Sequence, residues 1–239
     1  MQFFFEVLLM DKEGFIQFLK KKGKERSVPH YLKLLEVLEK YLNENTKHKD
    51  LDEISKEELK DFITKSKDNY KSYQYLRPIR DYYRFRENEE MEYLCNEYMG
   101  SICLETYKIS QFMGVDKEVT TKLKKIGIVT AHQMLEKGAT IEGRKKIVEQ
   151  TDIPDERLLE LAKLSNLARV PGHKAKRARL YLDAGIDTLE KMAKLTAEEL
   201  ISKSEEYIQK SGFAGSAPIY ADAKFSVENA KRLKDVVEF

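Results

Sequence analysis

The chain has 239 residues, 41% of them hydrophobic and 35% charged, with 43 Lys and Arg against 41 Asp and Glu. These values exclude a disordered chain and a polybasic tail protein, and the length fits one large domain or two modest ones. They leave nucleic-acid binding open, because that activity depends on how basic residues cluster and not on their sum. Few prolines and glycines beside many Lys, Glu, Leu and Tyr residues predict an all-α fold.

The first ten residues, Met1 to Met10, form the one strongly apolar run of the chain. A membrane-spanning helix needs about 20 such residues, and a signal peptide has a basic start and a small-residue cleavage site, so neither is predicted. The run either packs on the body of the protein or precedes a natural start at Met10. Two cysteines, Cys95 and Cys103, cannot form a disulfide framework, and we expect small core residues in a reducing, cytoplasmic setting.

Apolar residues recur at helical spacing through the first hundred residues. Gly23 and Pro29 separate the first two helices, and Ser55 with Glu58 predicts a capping box at the start of a third one. We expect the third helix over Leu51 to Phe62, one or two more helices from about Ser72 to Met99, and two domains, a helical domain over 11–105 and a second one over 106–239.

The first half resembles the SAM-like, core-binding domain of tyrosine recombinases. The resemblance is carried by Phe15, Ile16, Phe18, Leu19, Gly23, Lys24, Arg26, Ser27, Tyr31, Leu35, Leu38, Leu42, Tyr75, Leu76, Arg77, Arg80, Tyr82 and Tyr83. It implies a small helical bundle that grips duplex DNA, with Lys22, Lys24 and Arg26 as candidate phosphate contacts; a merely solvated helix end is the alternative.

The catalytic set of those recombinases, an Arg, a His-x-x-Arg and a Tyr, cannot be assembled in this chain. Its four histidines are His30, His48, His132 and His173. Recombinase chemistry is therefore not expected. The tyrosines between Tyr70 and Tyr83 could stack on exposed bases, but their helical spacing favours core positions.

An internal repeat runs through the second half. Gly127-Ile-Val-Thr and Gly185-Ile-Asp-Thr lie 58 residues apart, and the same spacing places Gly114 on Gly172. We interpret each copy as a helix that ends at a glycine, a tight turn, and a new helix capped by a threonine. Further helices are expected near Pro154–Leu167 and Ser226–Val237, with a loop over 211–218.

The window from Leu161 to Leu182 contains no acid and six cations, four of which lie directly after Gly172. It looks like a helix-hairpin-helix element, in which a glycine turn exposes backbone N–H groups at a helix start, where the helix dipole also favours a phosphate. A basic face that only pairs with neighbouring acids is the alternative. The candidate DNA contacts of this half are Gly172, His173, Lys174, Lys176, Arg177 and, in the earlier copy, Lys124 and Lys125.

Residues from about Ser110 to Glu199 resemble a functionally undetermined family of duplicated helix-hairpin-helix domains. The resemblance is carried by Gly127, Ile128, Thr130, Met134, Leu135, Gly138, Ala139, Thr140, Gly143, Arg144, Ile147, Thr151, Ile153, Leu159, Asn166, Leu167, Arg169, Gly172, Gly185, Ile186 and Thr188. It implies a tandem helix-hairpin-helix domain. Relatives of this architecture bind DNA or hold proteins together.

No set of residues with catalytic, metal-ligand or nucleotide-loop spacing stands out in the sequence, so we expect no enzyme activity, metal or cofactor. We predict a non-enzymatic protein that binds DNA through backbone phosphates, largely independently of sequence. The alternatives are a protein-interaction scaffold built from helix-hairpin-helix units and an accessory to a nuclease or recombinase. A protein partner remains an option in each case, and no membrane partner is expected.

Overall fold

The computed structural model describes residues 10–46, 50–66 and 72–239. Within these residues it contains thirteen α-helices, two short 3-10 helices and no β-strand, so the predicted all-α fold is confirmed. The apolar run lies outside the described residues except for Met10, which is buried.

The helices are numbered here in chain order. The α-helices are α1 Lys12–Lys21, α2 Val28–Asn45, α3 Lys56–Ser66, α4 Ser72–Phe85, α5 Glu89–Thr106, α6 Lys117–Lys125, α7 Ala131–Gly138, α8 Ile141–Thr151, α9 Asp155–Leu167, α10 Ala175–Asp183, α11 Leu189–Ala193, α12 Ala197–Ser211 and α13 Tyr220–Arg232, and the 3-10 helices are Glu25–Ser27 and Ile109–Gln111. The described residues form two compact units that divide between Met99 and Gly100, within α5. The predicted domain boundary, between residues 105 and 106, lies at the end of that helix.

The first unit packs α1, α2 and α4 around leucine and aromatic side chains. Phe15 of α1 meets Tyr82 of α4 edge to face, with 5.5 Å between the ring centroids. Tyr82 and Tyr83 are both buried, and the Tyr83 hydroxyl donates to the Leu51 carbonyl at 2.9 Å. These two tyrosines therefore belong to the core, as their spacing predicted, and present no ring to a base.

The capping box of the third helix is present. The Ser55 hydroxyl accepts from the Glu58 N–H at 3.2 Å, and the Glu58 carboxylate accepts from the Ser55 N–H at 2.8 Å. The helix begins after this cap, at Lys56. The predicted range from Leu51 was wrong at its start, because residues 51–53 form a turn and the box fixes the first turn of helix behind it.

The second unit is built from two copies of a four-helix segment, α6 to α9 and α10 to α13. The first helices of the two copies, α6 and α10, have nine residues each and begin 58 residues apart, and α7 and α11 begin at the same spacing. Gly114, Gly127, Gly172 and Gly185 all have φ between 76° and 88°. This left-handed conformation suits glycine, which explains why the sequence repeat is clearest at these positions.

The turns inside the two copies use the same bonds. After Gly127 the Ile128 N–H donates back to a carbonyl of α6 at 2.9 Å, and the matching bond after Gly185 measures 2.8 Å. Thr130 and Thr188 then accept from the N–H three residues on, at 3.3 and 2.9 Å, and cap α7 and α11 as predicted. The apolar faces of both copies pack into one continuous core.

The copies diverge at their last helix, because the loop 212–219 places α13 seven residues later than the repeat spacing would. Helix α13 therefore spans Tyr220–Arg232, and the predicted range Ser226–Val237 was shifted toward the C-terminus. The chain beyond Arg232 is not helical, and two of its acids cap the first turns of other helices. Asp235 accepts from the first two N–H groups of α11 at 2.9 and 2.8 Å, and Glu238 accepts from the first N–H of α8 at 3.0 Å.

Candidate functional site

The Gly172 turn joins α9 to α10 at the protein surface. Gly172 is exposed, has φ of 88°, and leaves open space where a side chain would start, since no atom lies within 4 Å of that point. The His173 N–H donates to the Val170 carbonyl at 3.0 Å, and the Lys174 N–H donates to the Gly172 carbonyl at 3.1 Å. The turn is thus closed by its own backbone, and its outer side is open to a partner.

Helix α10 starts without a side-chain cap. Lys174 occupies the N-cap position, and no acid lies in the first turn. The other helices of the second unit that begin after α5 each have a capping side chain, an acid in the first turn, or both. The Ala175 N–H faces the Tyr107 hydroxyl, while the Lys176 N–H meets no acceptor among the described residues. The N-cap and the first turn therefore supply no negative charge to the positive end of this helix dipole.

Lys174 and Lys176 flank this helix start and are both exposed. Neither side chain has an ion pair or a hydrogen bond with any described residue. Two free ammonium groups and an uncapped helix start therefore lie at the same turn as Gly172.

Arg177 has contacts within the protein that its place in the basic stretch did not predict. One guanidinium nitrogen donates to the Ser216 carbonyl at 3.4 Å, another lies 4.0 Å from the Asp222 carboxylate, and the group lies over the Tyr181 ring at 6.0 Å. These contacts are long, so Arg177 is weakly engaged with the loop 212–219 and the start of α13.

The remaining cations of the acid-free stretch are bound within the protein. Arg179 is 11% exposed and forms ion pairs with Glu160 and, at 3.1 Å, with Asp183. Lys163 pairs with Asp187 at 2.8 Å. Arg169 donates to the carbonyl of residue 234 at 2.6 Å. The alternative of a basic face that pairs with neighbouring acids thus holds for Arg179 and Lys163, whereas Arg169 is held by a backbone carbonyl.

His173 is a core residue and not a surface contact. Its ring is buried, lies 5.1 Å from the Tyr181 ring, and has Nδ1 3.2 Å from the Leu167 carbonyl and Nε2 2.8 Å from the Ser226 hydroxyl. A neutral ring donates Nδ1–H to the Leu167 carbonyl, and the single hydroxyl proton of Ser226 is shared between Nε2 and the Asp222 carbonyl, which lies 2.7 Å from the hydroxyl. Burial lowers the pKa of His173 to about 3, so it carries no charge for a phosphate. The prediction of a surface contact at His173 was wrong because Leu167 of α9, Tyr181 of α10 and Ser226 of α13 enclose the ring.

The glycine turn of the first copy is covered by this chain's own cations. Arg157 pairs with Asp116 at 2.9 Å and lies 3.4 Å from the Gly114 carbonyl, and Arg179 Nε donates to the Met113 carbonyl at 2.9 Å. These contacts occupy the carbonyls and the carboxylate of the turn. The first copy therefore differs from the second, whose turn is bare.

Lys124 and Lys125 are exposed at the end of α6 and have no ion pair among the described residues. Lys124 lines a cleft of about 360 Å³ together with Lys108 and Lys117, two lysines that the sequence analysis missed. The sequence signal was the helical spacing of Lys117, Thr120, Thr121 and Lys124; Lys108 lies outside the helix and had no such signal.

Among the candidate cations of the first unit, one is bound within the protein and two are exposed. Lys24 forms an ion pair with Asp81, a carboxylate that is 1% exposed, so its predicted role as a phosphate contact is corrected to a structural one. Burial alone would raise the pKa of Asp81, but the Arg80 and Lys24 charges outweigh it and hold the pKa below its usual value. Lys22 and Arg26 are exposed, with Lys22 5.7 Å from the Phe18 ring.

Within the part of the chain that the structure describes, no three His, Cys, Asp or Glu side chains lie close enough to hold a metal ion. None of the described helices has the length and apolar character needed to cross a membrane. Cys95 is buried, and burial raises the pKa of its thiol; the Cys103 side chain lies outside the described part.

Residues 113–233 match the model of a family described as a domain of unknown function (DUF4332). The matched range contains α6 to α13, and therefore both copies of the repeat. Neither the comparison with curated proteins nor the comparison with solved structures returned a significant match.

Proposed function

We propose that this chain, which belongs to the DUF4332 family of domains of unknown function, is a non-enzymatic DNA-binding protein that contacts backbone phosphates largely independently of sequence. The observation that carries the proposal is the bare start of α10, where Lys174 and Lys176 are exposed and unpaired beside an uncapped helix end. Phosphate is the group that such a start and two ammonium groups attract together.

The chemistry of the turn favours backbone contacts over base contacts. A helix N–H and two flexible lysines recognise negative charge, whereas base recognition uses planar side chains that make paired hydrogen bonds in a groove. Arg177 has the planar group, but its contacts with Ser216 and Asp222 point it toward the protein. We therefore expect two phosphate contacts at this turn, and a third one when Arg177 exchanges its long contact with Asp222 for a phosphate.

We further propose that the two copies are helix-hairpin-helix units and that the first unit is SAM-like. The repeated glycine turns with positive φ support the first assignment, and the helical core around Phe15 and Tyr82 supports the second. On this view the glycine turn of the second copy binds DNA and the glycine turn of the first copy is structural, since Arg157 and Arg179 cover it. We also propose a cytoplasmic location, on the basis of the reducing setting that the two cysteines suggest.

A protein-interaction scaffold is the second candidate, and a different surface favours it. Ile219 and Tyr220 are 68% and 55% exposed at the start of α13. Adjacent exposed apolar side chains of this size are typical of a contact surface for another protein. The ion pairs of Lys163 and Arg179 agree with this alternative, because in them the positive charges stabilise the fold and are not available to DNA.

Fluorescence anisotropy with two labelled duplexes of unrelated sequence separates the two candidates. The proposal predicts micromolar binding of both duplexes with equal affinity, and loss of binding as salt rises. Absence of salt-sensitive binding to either duplex would contradict it and leave the scaffold as the better account. A large preference for one duplex would contradict the sequence-independent mode.

A further inference from the structure

The cleft beside α6 is lined by three lysines, Lys108, Lys117 and Lys124. Two of them lie on one stripe of α6, with Thr120 and Thr121 between them, and the third precedes the 3-10 helix Ile109–Gln111. Three lysines that line one space can contribute their charges to a single bound anion.

None of these lysines is neutralised within the protein. Lys108, Lys117 and Lys124 have no ion pair with any described residue, although Lys122 on the same helix pairs with Glu118 at 3.2 Å. The two acids that adjoin Lys117 in sequence are engaged elsewhere, Glu118 with Lys122 and Asp116 with Arg157. No carboxylate lines the cleft.

The rest of the lining fits a compact anion above an apolar floor. Ile109, Ile128 and Val129 form apolar wall, and Ser110 offers a hydroxyl that has no partner among the described residues. Thr120 and Thr121 donate their hydroxyl protons to the Lys117 carbonyl at 2.9 and 2.7 Å. Donors to a ligand are therefore the three ammonium groups and Ser110.

We infer that this cleft is a phosphate-binding site, separate from the Gly172 turn. Its volume of about 360 Å³ is at the small end of ligand sites. It accommodates one phosphate group with its immediate substituents, and three lysines match a group that carries more than one negative charge. The phosphate can belong to a nucleic-acid backbone or to a small phosphorylated compound, and both present the same chemistry to the lysines.

The inference does not depend on the function proposed above, because Lys174 and Lys176 take no part in the cleft. Titration of the labelled full chain with tripolyphosphate, followed by amide NMR, tests it. We expect saturable shifts at Ser110, Thr121 and Val129. In K117Q/K124Q the affinity should fall about tenfold, whereas the control K145Q/K231Q, which removes two exposed lysines outside the cleft, should leave it unchanged.

Competition between a DNA duplex and tripolyphosphate for the cleft shows which source of phosphate the site takes. If a duplex displaces tripolyphosphate from the cleft, the site serves nucleic acid; if it does not, the site serves a small phosphorylated compound, and either result supports the inference. Shifts that never saturate, or equal weakening in both variants, would overturn it. The shifts at Ser110, Thr121 and Val129 report the cleft itself, so they should persist even if the proposed DNA contacts at the start of α10 fail.

Discussion

Arg179 of the second copy donates a hydrogen bond from Nε to the Met113 carbonyl of the first copy, at 2.9 Å. The same side chain pairs with Glu160 and Asp183. One arginine thus joins the glycine turn of one copy to the first helix of the other. Arg179 lies in the basic stretch that suggested DNA binding, yet its contacts hold the two copies together.

Replacing Arg179 by methionine should therefore destabilise the protein. The change leaves Glu160 and Asp183 without their largely buried partner and should lower the free energy of unfolding by about 2–4 kcal/mol. Urea denaturation measures this change. The control K122Q removes an exposed pair with Glu118 and should cost less than about 1 kcal/mol. Equal effects of the two substitutions would show that Arg179 is a surface charge only.

His173 should make stability depend on pH. Its folded-state pKa of about 3 lies below the unfolded value of about 6.5. The unfolded chain therefore binds more protons between these values, and stability falls as pH decreases from 6.5 toward 3, by at most about 1.4 kcal/mol per pH unit from this group.

The measurement is urea denaturation at several pH values between 4 and 7. The variant H173Q should lose this contribution to the pH slope, while H132Q, which changes a side chain exposed at the surface, should keep it. A slope that is the same in H173Q and in the parent would contradict the buried neutral ring.

Alanine at Gly143 and alanine at Gly172 should destabilise the protein for different reasons. A Cβ at Gly143 would lie 2.1 Å from the Lys137 carbonyl, so G143A must move backbone and should cost about 2–3 kcal/mol. At Gly172 the space is open and only the positive φ opposes a side chain, at a cost of about 1 kcal/mol. Thermal unfolding compares the two variants, and a G172A protein less stable than G143A would contradict the close approach at α8.

Local signals in the sequence predicted much of the second unit. The four repeat glycines and the caps at Thr130 and Thr188 were readable because each acts on its own backbone within a few residues. The last helix was misplaced since no local signal reveals that Asp235 and Glu238 cap distant helices.

The candidate site was predictable only in part, for the same reason. Whether a lysine or arginine is free depends on acids far along the chain, such as Asp81 for Lys24 or Asp222 for Arg177. Burial of His173 depends on α13, 53 residues later. The lysine cleft combines α6 with a residue outside it, which helical spacing alone does not reveal.

The salt dependence of duplex binding tests the central claim most directly, with the variant K174Q/K176Q as the probe. This pair is preferable to R177E, because R177E would place a second carboxylate near Asp222. The repulsion between the two carboxylates would disturb the fold. The matched control is K145Q/K231Q, which removes two exposed lysines elsewhere on the second unit.

The measurement is the slope of log affinity against log salt, from anisotropy titrations of the parent and both variants. Each lost phosphate contact should reduce the slope by about 0.9, so K174Q/K176Q should bind more weakly with a slope shallower by about 1.8, and the control should match the parent in slope. A K174Q/K176Q protein that is folded and shows the parent's affinity and slope would contradict the claim that the α10 start holds the DNA backbone.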